Sequence, residues 1–431
     1  MSQAAPILPA YSEKFHCIGP DCEDSCCIGW GVPIDQATYE KYQTLPAGPL
    51  RTAIDLNILP ATPDAAGSDP ARFAMVQVPA SHECPFLTEE RLCRIQAEQG
   101  EAFLSSTCAT YPRVVHWIDS HKDMTLSLSC PEAARLILLT EDLLPPDLLP
   151  PVSPAADYRS EDELKVESSS LTAYFWPIRA FVLDLIRNRA YPLAQRLFLL
   201  GVLSRRLDSI ASGELQRDVP SLLRDLAVII QSGSLNAAME ALPGDWTRQL
   251  DMVLRMAGLC RERSYVSPRF IECVQAFTQG IGNGPGATME RLVAHYAAAH
   301  EQYYAPFFSR HPHILENYLI NTIFRKLFPF GHDKGKIPAT PKMAEEFALL
   351  VAQFALIKGL LIGVAGFHKE SFSVDHVIHT VQSASRHFEH HLDFLTQVNA
   401  LLIEARMNDA GGLSILAGYE SSKSASAGIA G

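Results

Sequence analysis

Eight of the ten cysteines lie within the first 130 residues, and this clustering is the strongest chemical signal in the chain. Four of them follow the pattern Cys-x4-Cys-x3-Cys-Cys at Cys17, Cys22, Cys26 and Cys27. The others are Cys84, Cys93, Cys108 and Cys130. Cysteines that serve only packing are scattered, whereas gathered thiolates are the ligands of zinc and of iron–sulfur clusters. The pattern therefore predicts a metal centre, with all eight as candidate ligands.

The adjacent pair Cys26 and Cys27 restricts how such a centre is built. Neighbouring side chains diverge in extended chain, and one metal site rarely accepts two adjacent thiolates. We therefore infer either two metal centres or one cluster with a spare thiol. Four thiolates suit one [4Fe–4S] cluster and eight suit two, while reduced structural thiols are the alternative. Cys260 and Cys273 lie in helical sequence and are interpreted as core residues.

Composition narrows the class of protein. The chain has 431 residues, 47% of them hydrophobic and 19% charged, which suits two to three domains. Its net charge of −12, without a basic stripe, argues against a nucleic-acid partner. Its first residues show no signal-peptide pattern, so we predict a cytoplasmic protein. Clustered cysteines in that reducing compartment indicate metal binding rather than disulfides.

One apolar stretch, residues 347–367, is long enough to span a bilayer. Gln353 and Lys358 lie in its middle, where polar and charged groups are costly in lipid. We therefore predict a central helix of a soluble bundle and no membrane span.

The predicted fold is mainly α, with an N-terminal Cys-rich metal-binding lobe that contains a small β-hairpin, followed by a multi-helix domain. The domain boundaries are a metal-binding domain over 1–142, a Pro-rich linker over 143–163, an α-helical domain over 164–407 and a flexible tail over 408–431. The substrate cleft is expected between the two lobes, since sites favour domain interfaces.

Within the first domain, Asp35 is a good N-cap for a helix over 36–43. We expect an exposed loop over 45–70, a strand over 73–78 and a hairpin formed by 114–118 and 124–128. Ser129 and Glu132 form a capping-box pattern that places Cys130 in the first turn of a helix over 133–139.

The second domain has helical periodicity almost throughout. We predict helices over 174–189, 193–207, 220–231, 245–261, 289–300, 314–327, 344–366 and 374–405. The glycines at 280, 282, 284 and 286 fall between helices rather than after a strand, so they indicate a flexible loop and not a dinucleotide site.

Several motifs resemble those of the flagellin lysine-N-methylase family over most of the chain. They are Phe15-x-Cys17-Ile18-Gly19-x2-Cys22-x3-Cys26-Cys27-x-Gly29-Trp30, Cys84-Pro85-Phe86-Leu87, Leu92-Cys93-x-Ile95, Cys108-x2-Tyr111-Pro112-Arg113, Leu128-Ser129-Cys130-Pro131-Glu132, Glu316-Asn317-Tyr318-Leu319-x-Asn321, Phe324-Arg325-x-Leu327-Phe328-Pro329 and Phe388-Glu389-His390.

The resemblance implies a cytosolic bacterial enzyme that transfers a methyl group from S-adenosylmethionine to lysines of flagellin and carries an iron–sulfur cluster, with zinc as the alternative metal. The chain departs from the radical S-adenosylmethionine signature Cys-x3-Cys-x2-Cys, because Cys27 follows Cys26 at once. No motif therefore places the S-adenosylmethionine site. Two other functions stay open: an iron–sulfur electron-transfer protein and a zinc-stabilised binding protein without catalysis.

Lysine methylation needs a neutral amine, and the free side chain has a pKa near 10.4. Aromatic faces near the cysteines would attract the sulfonium of the cofactor by cation–π interaction, and we assign this role to Trp30, Tyr39 and Tyr42. For catalysis we select Tyr111, Arg113 and Asp35. Asp35 would accept the proton and Arg113 would pair with a cofactor carboxylate, while helix capping and a structural salt bridge are their respective alternatives.

A group of histidines lies near the C-terminal end: His376, His379, His387, His390 and His391. The spacing of His387 and His391 is one helical turn, which metals use. No acidic partner motif accompanies it, so we interpret these histidines as solvated or capping residues.

Overall fold

The computed structural model describes residues 9–61, 69–119, 121–144, 162–164, 170–210, 215–242, 244–261, 265–331, 342–390 and 393–418. Most of the predicted linker, the end of the predicted tail and His391 lie outside these residues. The described chain is mainly helical and contains a small hairpin and a multi-helix C-terminal part, which confirms the predicted fold class.

A small lobe, residues 28–110, is built from short elements. They are β1 (Pro33–Ile34), α1 (Gln36–Gln43), α2 (Pro49–Asn57), β2 (Ile58–Pro60), β3 (Ala74–Val76), α3 (Arg94–Gln99) and α4 (Ser106–Thr110). The three strands form an antiparallel sheet in the order β1-β3-β2. Its separate core contains Val32, Ile34, Tyr42, Leu50, Ile54, Ile58, Ala74, Val76, Phe86 and Ile95.

The structure confirms α1 and its cap, because the Asp35 carboxylate accepts a hydrogen bond from the Thr38 amide at 2.9 Å. The predicted strand over 73–78 is present as β3. The exposed loop expected over 45–70 is wrong in its first part, where α2 and β2 lie. Leu50 and Ile54 lie one helical turn apart and are both buried, so α2 has one apolar face although most of its other residues are not buried.

The predicted hairpin is confirmed as β4 (Arg113–Ile118) and β5 (His121–Leu126), and β6 (Asp162–Leu164) adds to it in parallel beside β4. The helix that follows, α5, runs over Pro131–Leu139. The expected capping box is wrong: Cys130 is the N-cap residue and makes no side-chain capping bond. The Ser129 hydroxyl instead contacts other side chains of a polar network described below.

Among the described residues of the C-terminal part, the structure contains helices at all the predicted ranges and four further ones. The helices of this part are α6 (Phe175–Arg187), α7 (Leu193–Asp208), α8 (Leu215–Gln231), α9 (Asn236–Glu240), α10 (Trp246–Arg261), α11 (Pro268–Gly280), α12 (Met289–Ala299), α13 (Ala305–Arg310), α14 (His313–Arg325), α15 (Met343–His368), α16 (Val374–Phe388), α17 (Phe394–Glu404) and α18 (Ala410–Ala417), with a π-helical turn over His300–Tyr304. Helix α18 lies in the segment predicted to be a flexible tail and is largely buried. The single helix expected over 374–405 is two helices, α16 and α17. The glycines at 280–286 join α11 to α12 as predicted.

Helix α15 is the central helix of the described C-terminal part and packs against α7, α10, α11, α12, α16, α17 and α18. Its length and composition would also suit a membrane span, but 94% of its most apolar window is buried inside the protein. The Lys358 ammonium donates to the carbonyl of Gly418 at 3.3 Å, so its charge has a partner in the interior. At Gly280, an added Cβ would lie 1.8 Å from the carbonyl oxygen of Gly363, so α11 and α15 cross at backbone contact.

Helix α14 joins the hairpin to the bundle through two buried asparagines. The Asn317 amide donates to the carbonyls of Ile137 at 2.8 Å and Thr140 at 2.7 Å. The Asn321 amide donates to the carbonyl of Leu126 at 3.0 Å. The hairpin, α5 and the C-terminal helices therefore share one hydrophobic core. In the domain boundaries predicted from the sequence, the hairpin and α5 belong instead to the cysteine-rich domain over 1–142.

Candidate active site and metal centre

The cysteine doublet lies on a loop that helix α16 holds in place. The Arg386 guanidinium forms an ion pair with Asp24 and donates to the carbonyls of Ser25, at 3.1 Å, and Ile28. These three partners flank Cys26 and Cys27 on both sides. Arg386 is largely buried, and the charge of Asp24 raises its pKa against the lowering effect of that burial. A single side chain of α16 therefore fixes the doublet against the C-terminal helices.

A second residue of α16 brings the doublet loop to the start of α5. The Gln382 amide donates to the Asp24 carboxylate at 2.7 Å and to the Ser129 carbonyl at 2.9 Å. An ion pair between Glu23 and Arg135 adds a second connection between the same segments. The loop that carries Cys22 consequently lies beside the N-terminus of α5, which Cys130 caps.

The cysteines divide into two groups by their electrostatic influence on one another. The first group consists of Cys17, Cys22, Cys26 and Cys130. Burial raises the pKa of Cys130 to about 12, and the negative charges of Cys22 and Cys17 raise it further. The pKa of Cys26 is raised by its hydrogen bond with Cys27, by burial and by the charges of Cys27, Cys108 and Cys130, so Cys26 lies close to Cys108 as well as to Cys130. These four thiols therefore lie within electrostatic reach of each other.

The second group consists of Cys27, Cys84, Cys93 and Cys108. Burial raises the pKa of Cys84 to about 12, and the charges of the other three members add to this shift. The pKa of Cys108 rises to about 11 by burial, with contributions from Cys27 and Cys93. The backbone supports the arrangement, because the Cys84 amide donates to the Cys27 carbonyl at 2.8 Å.

The two groups meet at the doublet itself. The Cys26 thiol and the Cys27 sulfur are hydrogen-bonded, which lowers the pKa of Cys27 to about 7 and raises that of Cys26. The Ser25 hydroxyl and the charge of Arg386 also favour the Cys27 thiolate. One thiolate of the doublet is thus stabilised by groups that the fold supplies.

The donor set suits a thiophilic metal. All ten cysteines are free thiols. The Gly19 amide lies 3.4 Å from the Cys17 sulfur, and the sulfurs of Cys84, Cys93 and Cys130 accept hydrogen bonds from amides two or three residues later in the chain. Amide donors of this kind stabilise thiolates and tune iron–sulfur clusters. No three His, Cys, Asp or Glu side chains among the described residues converge on a common point in the arrangement that the structure shows.

A cleft lies between the doublet loop and α16, and it encloses about 460 Å³, part of it open to solvent. Its lining residues are Cys26, Ile28, Gly29, Trp30, Tyr111, Ser129, Tyr265, Arg386, His387 and His390. The rings of Trp30 and His390 are stacked, with centroids 6.3 Å apart and planes inclined by 15°. The cleft thus combines an exposed aromatic surface, an imidazole and a cysteine of the first group.

Four hydrogen-bonding residues form a network that leads from this cleft into the protein. Ser129 Oγ lies 2.9 Å from Nε2 of His390 and 2.6 Å from Ser127 Oγ. The Ser127 hydroxyl donates to Glu389 Oε2 at 2.5 Å, and this carboxylate lies 3.4 Å from Nε of Arg325. The Glu389 side chain is 5% exposed, so the network ends on a buried charge pair.

The direction of the donors in this network fixes the histidine tautomer. A carboxylate only accepts hydrogen bonds, so Ser127 gives its one proton to Glu389. Ser129 must then donate to Ser127, and it accepts from Nε2 of His390. The proton therefore sits on Nε2 and the lone pair on Nδ1. The Tyr111 hydroxyl lies 3.0 Å from the same Ser129 oxygen, and burial raises its pKa well above the ordinary value.

The structure brings Trp30 and Tyr111 together at the cleft and places the other selected residues elsewhere. Arg113 lies against the ring of Phe15, 5.2 Å from its centroid, and donates to the Phe15 carbonyl. Asp35 caps α1 and also accepts from the Ser106 amide at 2.9 Å. Tyr39 and Tyr42 pack in the core of the small lobe, where Tyr39 contacts Phe73 and the Tyr42 hydroxyl donates to the Phe103 carbonyl.

The histidines of the C-terminal group also lie in different places. His376 lies in the capping box of α16 and stacks on His368, and His379 contacts the Arg269 carbonyl at 2.8 Å. His387 is buried against the Ser267 amide at 3.2 Å. His390 lies in the cleft, where sequence reasoning gave it no role. The one sequence feature that could have identified His390 is its position in the family motif Phe388-Glu389-His390. No motif or spacing in the sequence indicated a role for Ser127 or Arg386.

Comparison with known proteins decides the family. Residues 179–416 match the family described as the FliB lysine N-methylase C-terminal domain. The chain belongs to the FliB lysine N-methylase family. It is 25% identical over 414 residues to a Lysine-N-methylase of Salmonella typhimurium, in an alignment that covers 90% of this chain and 93% of that protein.

Another relative is more similar to the chain over a shorter stretch. The Flagellar biosynthetic protein FliU of Salmonella muenchen is 34% identical over 145 residues, which cover 33% of this chain and 83% of that protein. No solved structure matches the chain. The family membership confirms the resemblance that the cysteine motifs indicated.

Proposed function

We propose that this FliB-family protein transfers methyl groups from S-adenosylmethionine to lysine side chains of flagellin, and that the reaction takes place in the cleft beside Cys26. We further propose that cysteines of the N-terminal region hold an iron–sulfur cluster of the [4Fe–4S] type. The observation that carries the proposal is the oriented network in which Ser129 joins Tyr111 and His390 beside the cysteine doublet. The names of the relatives, which refer to lysine N-methylation and to flagellar biosynthesis, support the choice of reaction and substrate.

The cleft supplies what a lysine substrate needs before it reacts. An ammonium group must lose its proton to become a nucleophile, and a nearby neutral base removes it. We assign this role to the imidazole of His390, which lines the cleft and whose Nε2 lies 2.9 Å from Ser129 Oγ. The imidazolium that forms is stabilised through Ser129 and Ser127 by the carboxylate of Glu389.

The aromatic residues align the substrate and reduce its hydration. The indole of Trp30 is 37% exposed, and its Nε1 donates to the Cys26 carbonyl at 2.7 Å, which fixes the ring at the cleft edge. An exposed aromatic face of this kind attracts a lysine ammonium or a sulfonium. Tyr111 also lines the cleft. Together they hold the amine near His390 and away from bulk water.

S-adenosylmethionine and an iron–sulfur cluster would supply the remaining chemistry. S-adenosylmethionine, when bound, supplies an electrophilic methyl group on a sulfonium. An iron–sulfur cluster, when bound at the first cysteine group, supplies electron-transfer or Lewis-acid chemistry beside the cleft. Cys26 belongs to both the cleft lining and that group, so it is the residue that would connect them.

The direct test is methylation of flagellin by protein purified without oxygen. Flagellin and S-adenosylmethionine labelled in its methyl group are incubated with the protein, and the lysines are analysed by mass spectrometry. We expect labelled methyl groups on lysine only when all three components are present. Purified protein with intact iron and sulfide that leaves flagellin unlabelled would refute the proposal and favour a redox role. Zinc-containing protein without activity would favour a binding role.

A further inference from the structure

We infer that the eight cysteines form two separate four-thiol metal centres that meet at the doublet, one formed by Cys17, Cys22, Cys26 and Cys130 beside the cleft, and one formed by Cys27, Cys84, Cys93 and Cys108 inside the small lobe. The inference deepens the proposed function, since it rests on metal binding by these cysteines. It assigns the second centre a structural role.

The first centre is assembled by contacts that bring three distant segments together. Glu23 pairs with Arg135 of α5, and Gln382 of α16 links Asp24 to the Ser129 carbonyl. The residues adjacent to Cys22 and Cys130 are therefore tied to each other by two independent side-chain connections. Cys26, four residues after Cys22, lines the cleft and belongs to the same loop.

The second centre is assembled by backbone pairing within the small lobe. The Cys84 amide donates to the Cys27 carbonyl at 2.8 Å, and Ile28 forms a β-bridge with Glu83. A further bridge joins Leu87 to Cys93, so the chain between Cys84 and Cys93 folds back in a tight turn. This fold-back brings Cys93 close to Leu87, three residues after Cys84.

Cys108 approaches Cys84 and Cys93 from α4. The Ser105 hydroxyl caps that helix by accepting a hydrogen bond from the Cys108 amide at 3.2 Å. The amide of Ser106, the first residue of α4, donates to the Asp35 carboxylate at 2.9 Å. Asp35 therefore joins the start of α4 to the start of α1. Cys84 and Cys93 pack against the core of the small lobe, and Tyr42 of that core, whose pKa is raised mainly by burial, also feels the charges of Cys108, Cys93 and Cys84.

The small lobe has a physical need for such a centre. Its own core contains ten buried side chains, and its strands have two or three residues each. Cores of this size rarely stabilise a lobe alone, and small domains commonly add a structural metal. A closed site of four thiolates would fasten α3, α4, the doublet loop and the turn before α3 to one another. Zinc and an iron–sulfur cluster share this ligand chemistry.

The test measures metal and thiol protection rather than methylation, so its failure is distinct from failure of the proposed function. Wild-type protein is purified without oxygen, and iron, zinc and acid-labile sulfide are measured per chain. Native thiols are alkylated, the protein is denatured, and the remaining thiols are labelled with a second reagent and located by mass spectrometry. We expect all eight clustered cysteines to be protected until the metal is removed. Protection of only four of them would overturn the inference.

Matched variants then separate the two centres. Cys93→Ser should lose the metal of the second centre, about half of the bound centres, and keep that of the first, whereas Cys22→Ser should show the reverse. Cys273→Ser, in the core, is the control and should keep the full metal content. Loss of the same single metal complement in both variants would refute two independent centres. Zinc in the second centre with iron and sulfide in the first, or iron and sulfide in both, would each support the inference and identify the metals.

Discussion

Ser129 Oγ lies 2.9 Å from Nε2 of His390, although 261 positions separate the two residues in the chain. This contact joins the turn before α5 to the end of α16, across the cleft that Cys26 lines. It also orients the imidazole through Ser127 and Glu389. The relationship resembles the way in which a carboxylate orients a histidine in hydrolytic triads, with two hydroxyls interposed.

Replacing His390 by glutamine should lower the rate of lysine methylation by about 10²–10⁴-fold, because the proton acceptor is lost while the side-chain volume is nearly kept. The rate is measured with labelled S-adenosylmethionine and flagellin under saturating conditions. His379→Gln is the matched control on α16, the helix that precedes His390, since His379 contacts the Arg269 carbonyl and does not line the cleft. Equal rates in both variants would rule out His390 as the acceptor.

Replacing Ser129 by alanine should lower kcat more than it raises KM, since the hydroxyl orients His390 rather than binding the substrate. We expect a decrease of about 10-fold or more, because one positioned hydrogen bond contributes roughly 1 kcal/mol or above in a buried network. Nitrogen NMR of the His390 ring gives a second readout, and the variant should lose the preference for the Nε2–H tautomer. Ser204→Ala, which removes a buried hydroxyl bonded within α7, should leave both readouts unchanged.

Replacing Tyr111 by phenylalanine should also slow methylation, because its hydroxyl contacts Ser129, which like Tyr111 lines the cleft. Tyr42→Phe removes a hydroxyl of the same kind that donates to the Phe103 carbonyl in the small lobe. The Tyr42 variant should lose stability rather than turnover. Methylation rate and urea unfolding are measured for both, and a turnover defect confined to the Tyr42 variant would contradict this assignment.

Asp35 should stabilise the small lobe in a pH-dependent manner. Burial raises its pKa, but the amides of Ser106 and Thr38 outweigh this effect and hold the pKa below its ordinary value. A lowered pKa in the folded state means that the contribution is fully present above the unfolded pKa, about 3.9, and is lost as the pH falls through the folded value. The difference in unfolding free energy between wild type and Asp35→Asn should therefore shrink on acidification. A difference that stays constant with pH would contradict this explanation.

Replacing Gly363 by alanine should destabilise the helical domain by about 1–3 kcal/mol, because the new Cβ would lie 2.3 Å from the ring of Phe277 and 2.8 Å from its carbonyl. Gly258 of α10 is the matched control, since no heavy atom within 4 Å opposes a Cβ there. Gly258→Ala should be neutral or stabilising by up to about 1 kcal/mol through helix propensity. Both values come from urea unfolding. Equal effects would show that the close approach of α11 and α15 is not required.

Several elements could be predicted because their signals are local. The cap at Asp35, the hairpin and the amphipathic helices each depend on residues a few positions apart, and the structure contains all of them. Helix α2 was not predicted, because only Leu50 and Ile54 form its buried face and the surrounding segment is rich in proline and alanine, which indicated a loop. The capping box failed because Ser129 has partners from remote segments that compete for its hydroxyl.

In the candidate site, too, some residues were identified from the sequence and others only from the fold. Residue type and spacing alone identified eight cysteines as one chemical unit, and they placed Trp30 and Tyr111 near them. The choice of Asp35 and Arg113 rested on closeness in sequence, and the fold directs both side chains to other partners.

The sequence by itself determined the family, the helical class and the set of thiols, because these depend on composition, periodicity and motif order. The tertiary structure decided which residues surround the cysteine doublet and which histidines line the cleft. Such facts depend on contacts between residues more than 250 positions apart, such as Ser127 with Glu389 and Asp24 with Gln382. Long-range contacts of this kind follow from the packing of whole helices, and no local pattern encodes them.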